Sequence, residues 1–215
     1  MRKSPRCLYS SSLAAFATAD ENSIFGILCD NYHGDALTTT REAWRAEISI
    51  LKQVLAPYKS ENGQIVFEYD IPRLGKRIDA VLLLRGIVFC LEFKVGETKL
   101  LEADVDQVLD YALDLKNFHK FSLDRIITPI LIATKYRAES DTVQVSAYDD
   151  MVVNPLVTLS FRSLEWQENE KLSTGEKTGK KGGEKVKKVK NYLLKCGRIK
   201  VSNKTLLNKK EGNSS

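Results

Sequence analysis

Arg77-Ile78-Asp79-Ala80-Val81-Leu82-Leu83-Leu84-Arg85-Gly86-Ile87-Val88-Phe89-Cys90-Leu91-Glu92-Phe93-Lys94 is the stretch that decides the fold. Two runs dense in Ile, Val, Leu and Phe are separated only by Arg85-Gly86, the pattern of two strands joined by a tight hairpin turn. With a two-residue loop, partners across the hairpin have numbers that sum to 171. Asp79 then lies opposite Glu92, and Arg77 opposite Lys94. Opposed side chains point to the same face with Cβ atoms roughly 4.5–5.5 Å apart, and Glu92 and Lys94, two apart, share that face. A three-residue loop would flip the pairing and separate the acids.

An apolar hairpin thus carries two carboxylates face to face with two cations beside them. Opposed like charges on a strand pair are unfavourable, and a divalent cation between them removes the conflict. Oxygen ligands at strand ends suit Mg²⁺, with Mn²⁺ as the alternative. A nearby lysine can then orient a water nucleophile or neutralise charge developing on phosphorus. The competing reading is a solvated hairpin end laced by diagonal Arg77–Glu92 and Asp79–Lys94 ion pairs.

Working outward, Gln64–Ile71 alternates apolar and polar residues as a strand should. Upstream, Trp44, Ile48, Leu51 and Leu55 recur at helical spacing, with Thr39 or Thr40 as a cap and Pro57 as the stop. Shorter helical patterns cover about 11–18 and 21–31. Downstream, Val105, Val108, Ala112 and Leu115 mark a helix over about Ala103–His119. Ile126–Thr134 is a continuous apolar run, read as a fully buried strand. Val143–Tyr148 and Val157–Phe161 read as further strands. This order predicts an α/β chain with a mixed central sheet flanked by helices. Its expected divisions are a helical lead-in over 1–40, a core over 41–166, and a lysine-rich tail over 167–215.

Charge supports that division. The net charge is +5, yet residues 168–215 hold 14 Lys and Arg against five Asp and Glu, leaving 19 against 23 for residues 1–167. The stretch 168–190 is Lys, Glu, Gly, Ser and Thr with few apolar anchors, a composition that does not build a packed core. Four scattered cysteines without C-x-x-C spacing, and only His33 and His119 to help them, argue against a structural zinc site. A reducing, cytoplasmic setting is expected. Arg2, Lys3, Arg6 and Ala17-Thr18-Ala19 imitate a secretory signal, but Tyr9-Ser10-Ser11-Ser12 interrupts the apolar core such a signal needs. No run approaches 18 apolar residues, so no membrane span is expected.

Asp79 followed by Glu92-Phe93-Lys94 resembles the D…(D/E)xK motif of the restriction-endonuclease-like nuclease superfamily. Gln107 and Tyr111, one helical turn apart, resemble the QxxxY motif of its RecB-like branch. More closely, Tyr9-Ser10-Ser11-Ser12, Ala43-Trp44…Glu47-Ile48, Phe67 to Arg73, Gly75 to Asp79, Glu92-Phe93-Lys94 and Asp106-Gln107…Asp110 to Leu115 are similar to one group. These are modules that precede a P-loop helicase-like ATPase in prokaryotic proteins, and the resemblance covers about residues 8–166. No G-x-x-x-x-G-K-[ST] occurs, so the ATPase part is missing.

The resemblance implies a restriction-endonuclease-like core that hydrolyses phosphodiester bonds of DNA, ahead of RNA, with Mg²⁺ or Mn²⁺. Asp79, Glu92 and the Phe93 carbonyl would hold the metal, and Lys94 would position the attacking water. Gln107 and Tyr111 would steady the site and a phosphate. Glu47 matches the extra acid many members supply, although an ordinary exposed helix residue is an equal reading, and Glu68 is a weaker candidate for that role. Arg73, Lys76 and Arg77 would contact nucleic acid. A homodimer and a separate ATPase partner are compatible with this reading. The alternatives are a nuclease-fold module that binds nucleic acid or a partner without cutting, and a truncated relic of a larger nuclease–helicase protein.

Overall fold

The computed structural model describes residues 6–33, 37–71, 75–135, 151–158, 166–167 and 198–199. The expected strand at Val143–Tyr148, Arg73 and most of the tail lie outside them.

Among the described residues a short strand, β1 (Tyr9–Ser12), comes first and takes the start of the helix expected over about 11–18. Ser12 ends the strand and accepts from the Ala15 N–H, capping α1 (Leu13–Thr18). Asp20 does the same for α2 (Glu21–Asn31). Helix α3 (Thr38–Leu55) starts just ahead of the expected threonine cap: Leu37, not Thr39 or Thr40, is its cap residue, with no side-chain hydrogen bond. It runs into a 3-10 turn at Ala56–Tyr58 that takes up Pro57. Then come β2 (Gly63–Ile71), β3 (Lys76–Leu84), β4 (Ile87–Lys94), α4 (Glu102–Phe118), β5 (Ile126–Ala133) and β6 (Leu156–Thr158). A separate two-stranded ribbon pairs β7 (Trp166–Gln167), at the expected boundary between core and tail, with β8 (Arg198–Ile199) inside the expected tail.

The fold is α/β, with one open, mixed sheet in the order β1-β2-β3-β4-β5-β6. Strands β1 to β4 form an antiparallel meander, whereas β4, β5 and β6 are parallel, with α4 as the crossover between β4 and β5. All eight residues of β5 are buried, as a strand covered on both faces should be. Pro129 has no N–H to give, and it falls where the β5 edge changes partner from Val152 (opposite Ile127) to Leu156 (opposite Ile130).

The hairpin register agrees with the sequence reading: Ala80 pairs with Leu91, Val81 with Cys90 and Leu84 with Ile87. Both turn residues have positive φ, +52° at Arg85 and +79° at Gly86, as the preferred two-residue hairpin turn demands. Arg85 also pairs with Glu61.

Two cores flank the sheet. One gathers Leu13, Phe16, Ile24, Leu28, Trp44, Ile48 and Leu51 of α1–α3 against Ile65, Phe67, Ala80, Leu91 and Phe93. The other packs Tyr111, Ala112 and Leu115 of α4 against Ile71, Ile78, Val81 and Cys90. Gly63 is required by close approach. A Cβ there would lie 2.6 Å from Leu13 Cδ1 and 2.8 Å from the Leu83 carbonyl oxygen. Gly63→Ala is therefore expected to cost about 1–3 kcal/mol in urea unfolding, and an unchanged midpoint would contradict that packing.

The meander has one irregular step. Phe67 packs in the α1–α3 core, whereas Tyr69, two residues on, packs against α4. Regular alternation would put both on one face. On β3, Ile78 faces α4 while Ala80 faces the other core. The reversal falls at Glu68, whose φ is +53°. The ladder passes from Phe67↔Ala80 to Tyr69↔Ile78, leaving Glu68 opposite Asp79. Such a backbone conformation is uncommon for a glutamate and concentrates at functional sites.

Candidate active site

The polar centre is assembled where β3 and β4 part. Their ladder reaches Ala80↔Leu91. Beyond it the Asp79 side chain takes over, with Oδ2 accepting the Phe93 backbone N–H at 2.8 Å. Glu92, 4% exposed, projects on the α4 side. There Gln107 donates to Glu92 Oε1 at 3.0 Å and to the Tyr111 hydroxyl at 2.8 Å. Lys94 Nζ donates to Glu92 Oε1 at 3.2 Å and to Gln107 Oε1 at 3.1 Å. Its third partner is Asp104 Oδ1, at 3.2 Å.

From the other face, α3 contributes Glu47. It lies one turn after Trp44 on the buried stripe and is only 3% exposed, so the reading of it as an ordinary surface residue is corrected. Burial, then the Glu68 and Glu92 charges, push the Glu47 carboxyl up to about 8. Burial, with Glu47 and Glu92 next, holds Asp79 well above the usual carboxylate range against the pull of the Phe93 N–H. Burial raises Glu92 too, opposed by Lys94 and by a hydrogen bond with Asp79. Burial acts to lower the Lys94 ammonium, but Glu92 and Asp104 outweigh it and keep it protonated. The Tyr111 hydroxyl is raised by burial and stays neutral.

Asp79, Glu92, Phe93, Lys94, Gln107, Tyr111 and Glu47 are thus brought together. Lys76 stands at the rim, 3.9 Å from Asp110 and 5.9 Å from the centre of the Tyr111 ring. Arg77 is not beside Lys94, and the diagonal Arg77–Glu92 and Asp79–Lys94 pairs are replaced by Lys94–Glu92 and Arg77–Glu68. The reason is the reversal at Glu68 and Asp79: Lys94 reaches α4, whereas Arg77 reaches Tyr32 at the end of α2. The sequence reading passed over Asp104. Its only signal was its spacing, three residues before Gln107 and hence on the same helix face.

Two buried carboxylate oxygens, Glu47 Oε2 and Glu92 Oε2, have no hydrogen-bond partner. An unsatisfied buried acceptor is costly, and a cation held among oxygens would satisfy both. The donor set fits a hard divalent ion: Asp79, Glu92 and Glu47 carboxylates, with the Phe93 carbonyl at hand. As they stand, no three acid, histidine or cysteine side chains among the described residues converge closely enough to enclose a metal.

Fold and site together define an α/β protein with an acid-and-lysine centre at the split of a mixed sheet. No protein-family model, no curated protein and no solved structure matches this chain. Among the described residues, no helix is long and apolar enough to cross a membrane.

Proposed function

We propose that this protein is a divalent-cation-dependent nuclease with a restriction-endonuclease-like core, cutting phosphodiester bonds of DNA ahead of RNA. The observation that carries the reading is the pair of unpartnered, buried oxygens on Glu47 and Glu92, next to a lysine kept protonated. Asp79, Glu92 and the Phe93 carbonyl would hold Mg²⁺ or Mn²⁺, with Glu47 closing the set from α3. When bound, the ion stabilises negative charge on the phosphate and lowers the pKa of water.

The chain's own groups do the rest. A protonated Lys94 cannot act as a base; its N–H groups orient the attacking water and offset charge developing on phosphorus. Gln107 fixes Lys94 and Glu92 relative to each other by bonding both. Tyr111 anchors Gln107 in turn. Lys76 stands where the substrate's flanking phosphates would pass, and Arg73 belongs to the same proposal on sequence grounds.

A second reading is a nuclease-fold module that binds nucleic acid without cutting, and the Lys94 ion pairs with Glu92 and Asp104 favour it because they need no metal. Asp79→Asn separates the two. Asparagine still accepts the Phe93 N–H but cannot take up the charge that burial and the neighbouring acids oppose at this position. In EDTA the variant is expected to be as stable as the wild type or more so, whereas most buried substitutions cost about 0.5–3 kcal/mol. Mg²⁺ should raise the melting temperature of the wild type and do little for the variant. A clearly destabilised variant, with no Mg²⁺ shift in the wild type, favours the non-cutting module.

A further inference from the structure

Next to the acid centre, two side chains, Glu68 and Tyr32, hold the Arg77 guanidinium, and Trp44 braces both of them. Glu68 Oε1 accepts from the buried Trp44 Nε1 at 2.8 Å. Its other oxygen faces Arg77 Nη1 at 3.4 Å. The Arg77 guanidinium carbon lies 5.1 Å from the centre of the Tyr32 ring, within cation–π range, and the Tyr32 ring packs edge-on against Trp44 at 5.5 Å. Glu68 is almost enclosed, its side chain 11% exposed, while that of Arg77 is 40% exposed. The strained φ of Glu68 delivers its carboxylate to this spot.

We propose that Arg77 is a preorganised clamp for a backbone phosphate flanking the cleaved one, with Glu68 and Tyr32 as the residues that position it. This rests on the nuclease reading above and adds the manner in which that site takes its substrate. A guanidinium has five N–H donors in a fixed fork that matches two phosphate oxygens. One edge is spent on Glu68 and one face lies on Tyr32, which leaves the exposed edge of the fork for a ligand. Holding the long side chain in advance reduces the ordering cost of binding. Arg77 lies two residues before Asp79, and Glu68 lies opposite Asp79, so the clamp is tied to the centre by the same strand pair.

The test uses the full chain and short DNA oligonucleotides. KM and kcat are measured with Mn²⁺, and the salt dependence of binding is measured in EDTA. Arg77→Ala is expected to raise KM about tenfold, as for loss of one charge-assisted hydrogen-bonded contact, with kcat within about twofold. The slope of log Kd against log salt should fall by about 0.7–0.9, the share of one phosphate. Tyr32→Leu should move both quantities the same way, Tyr32→Phe should restore them, and Tyr32→Leu should add nothing in an Arg77→Ala background. Unchanged KM and slope in Arg77→Ala, or Tyr32→Leu and Tyr32→Phe behaving alike, overturns the clamp and leaves a structural ion pair. In either case Lys94→Ala still abolishing cleavage leaves the nuclease reading intact, whereas a wild type that neither binds nor cuts DNA overturns both.

Discussion

Replacing Lys94 by alanine is expected to lower metal-dependent cleavage by about 10²–10³-fold, the usual worth of one positioned donor that stabilises charge in the transition state. The fold should persist, because Lys94 is half-buried at the end of β4 and its partners Glu92, Asp104 and Gln107 retain one another or water. The effect should fall on kcat, since the proposed mechanism puts Lys94 at the reacting water and not at a distant phosphate. Circular dichroism and a melting curve on the same preparation separate loss of chemistry from loss of fold. Cleavage that survives the substitution removes Lys94 from the mechanism.

The second large effect is on stability against pH. Glu47 is pushed up to about 8 from an ordinary value near 4.5, with burial as the chief cause. Between those limits the native protein binds more protons than the unfolded chain. Stability contributed by this group is therefore full below pH 4.5 and declines as pH rises towards 8. Each unit of displacement corresponds to about 1.4 kcal/mol, so a loss on the order of 3 kcal/mol is expected between pH 5.5 and 8 in EDTA. Asp79 and Glu92, raised for the same reason, act in the same direction. Mg²⁺ competes with those protons, so its stabilisation should be large at pH 8 and small at pH 5.5. Urea unfolding at the two pH values checks this. Glu47→Gln should flatten the slope, and an unchanged slope would show that Glu47 does not titrate as its burial requires.

The hairpin was legible because three separate signals agreed: two β-rich runs, a two-residue gap, and a glycine for the positive φ at position 86. The α3 stripe was legible by its period, and Gln107 and Tyr111 by their one-turn spacing. Strand β1 was not, because four residues, three of them serine, show no alternation. The reversal at Glu68 was invisible for a deeper reason. Strand patterning assumes unbroken alternation, and one glutamate with positive φ breaks it without leaving a glycine as a marker. That single conformation explains why Arg77 was assigned to the wrong face. It also explains how a weakly favoured residue, Glu68, comes to lie opposite Asp79. The burial of Glu47 likewise depends on how α3 packs over the split between β3 and β4, which no local pattern encodes.

The proposed function requires Asp79 and Glu92 to form a divalent-metal centre for phosphodiester cleavage. The most direct measurement is cleavage of labelled single- and double-stranded DNA and RNA by the full chain in Mn²⁺, Mg²⁺ and EDTA, with Asp79→Asn alongside. Cleavage of DNA by the wild type with either metal is expected, and none in EDTA or by the variant. Cleavage that persists in EDTA or in Asp79→Asn, or no cleavage of any of these substrates with either metal, would contradict the proposed function.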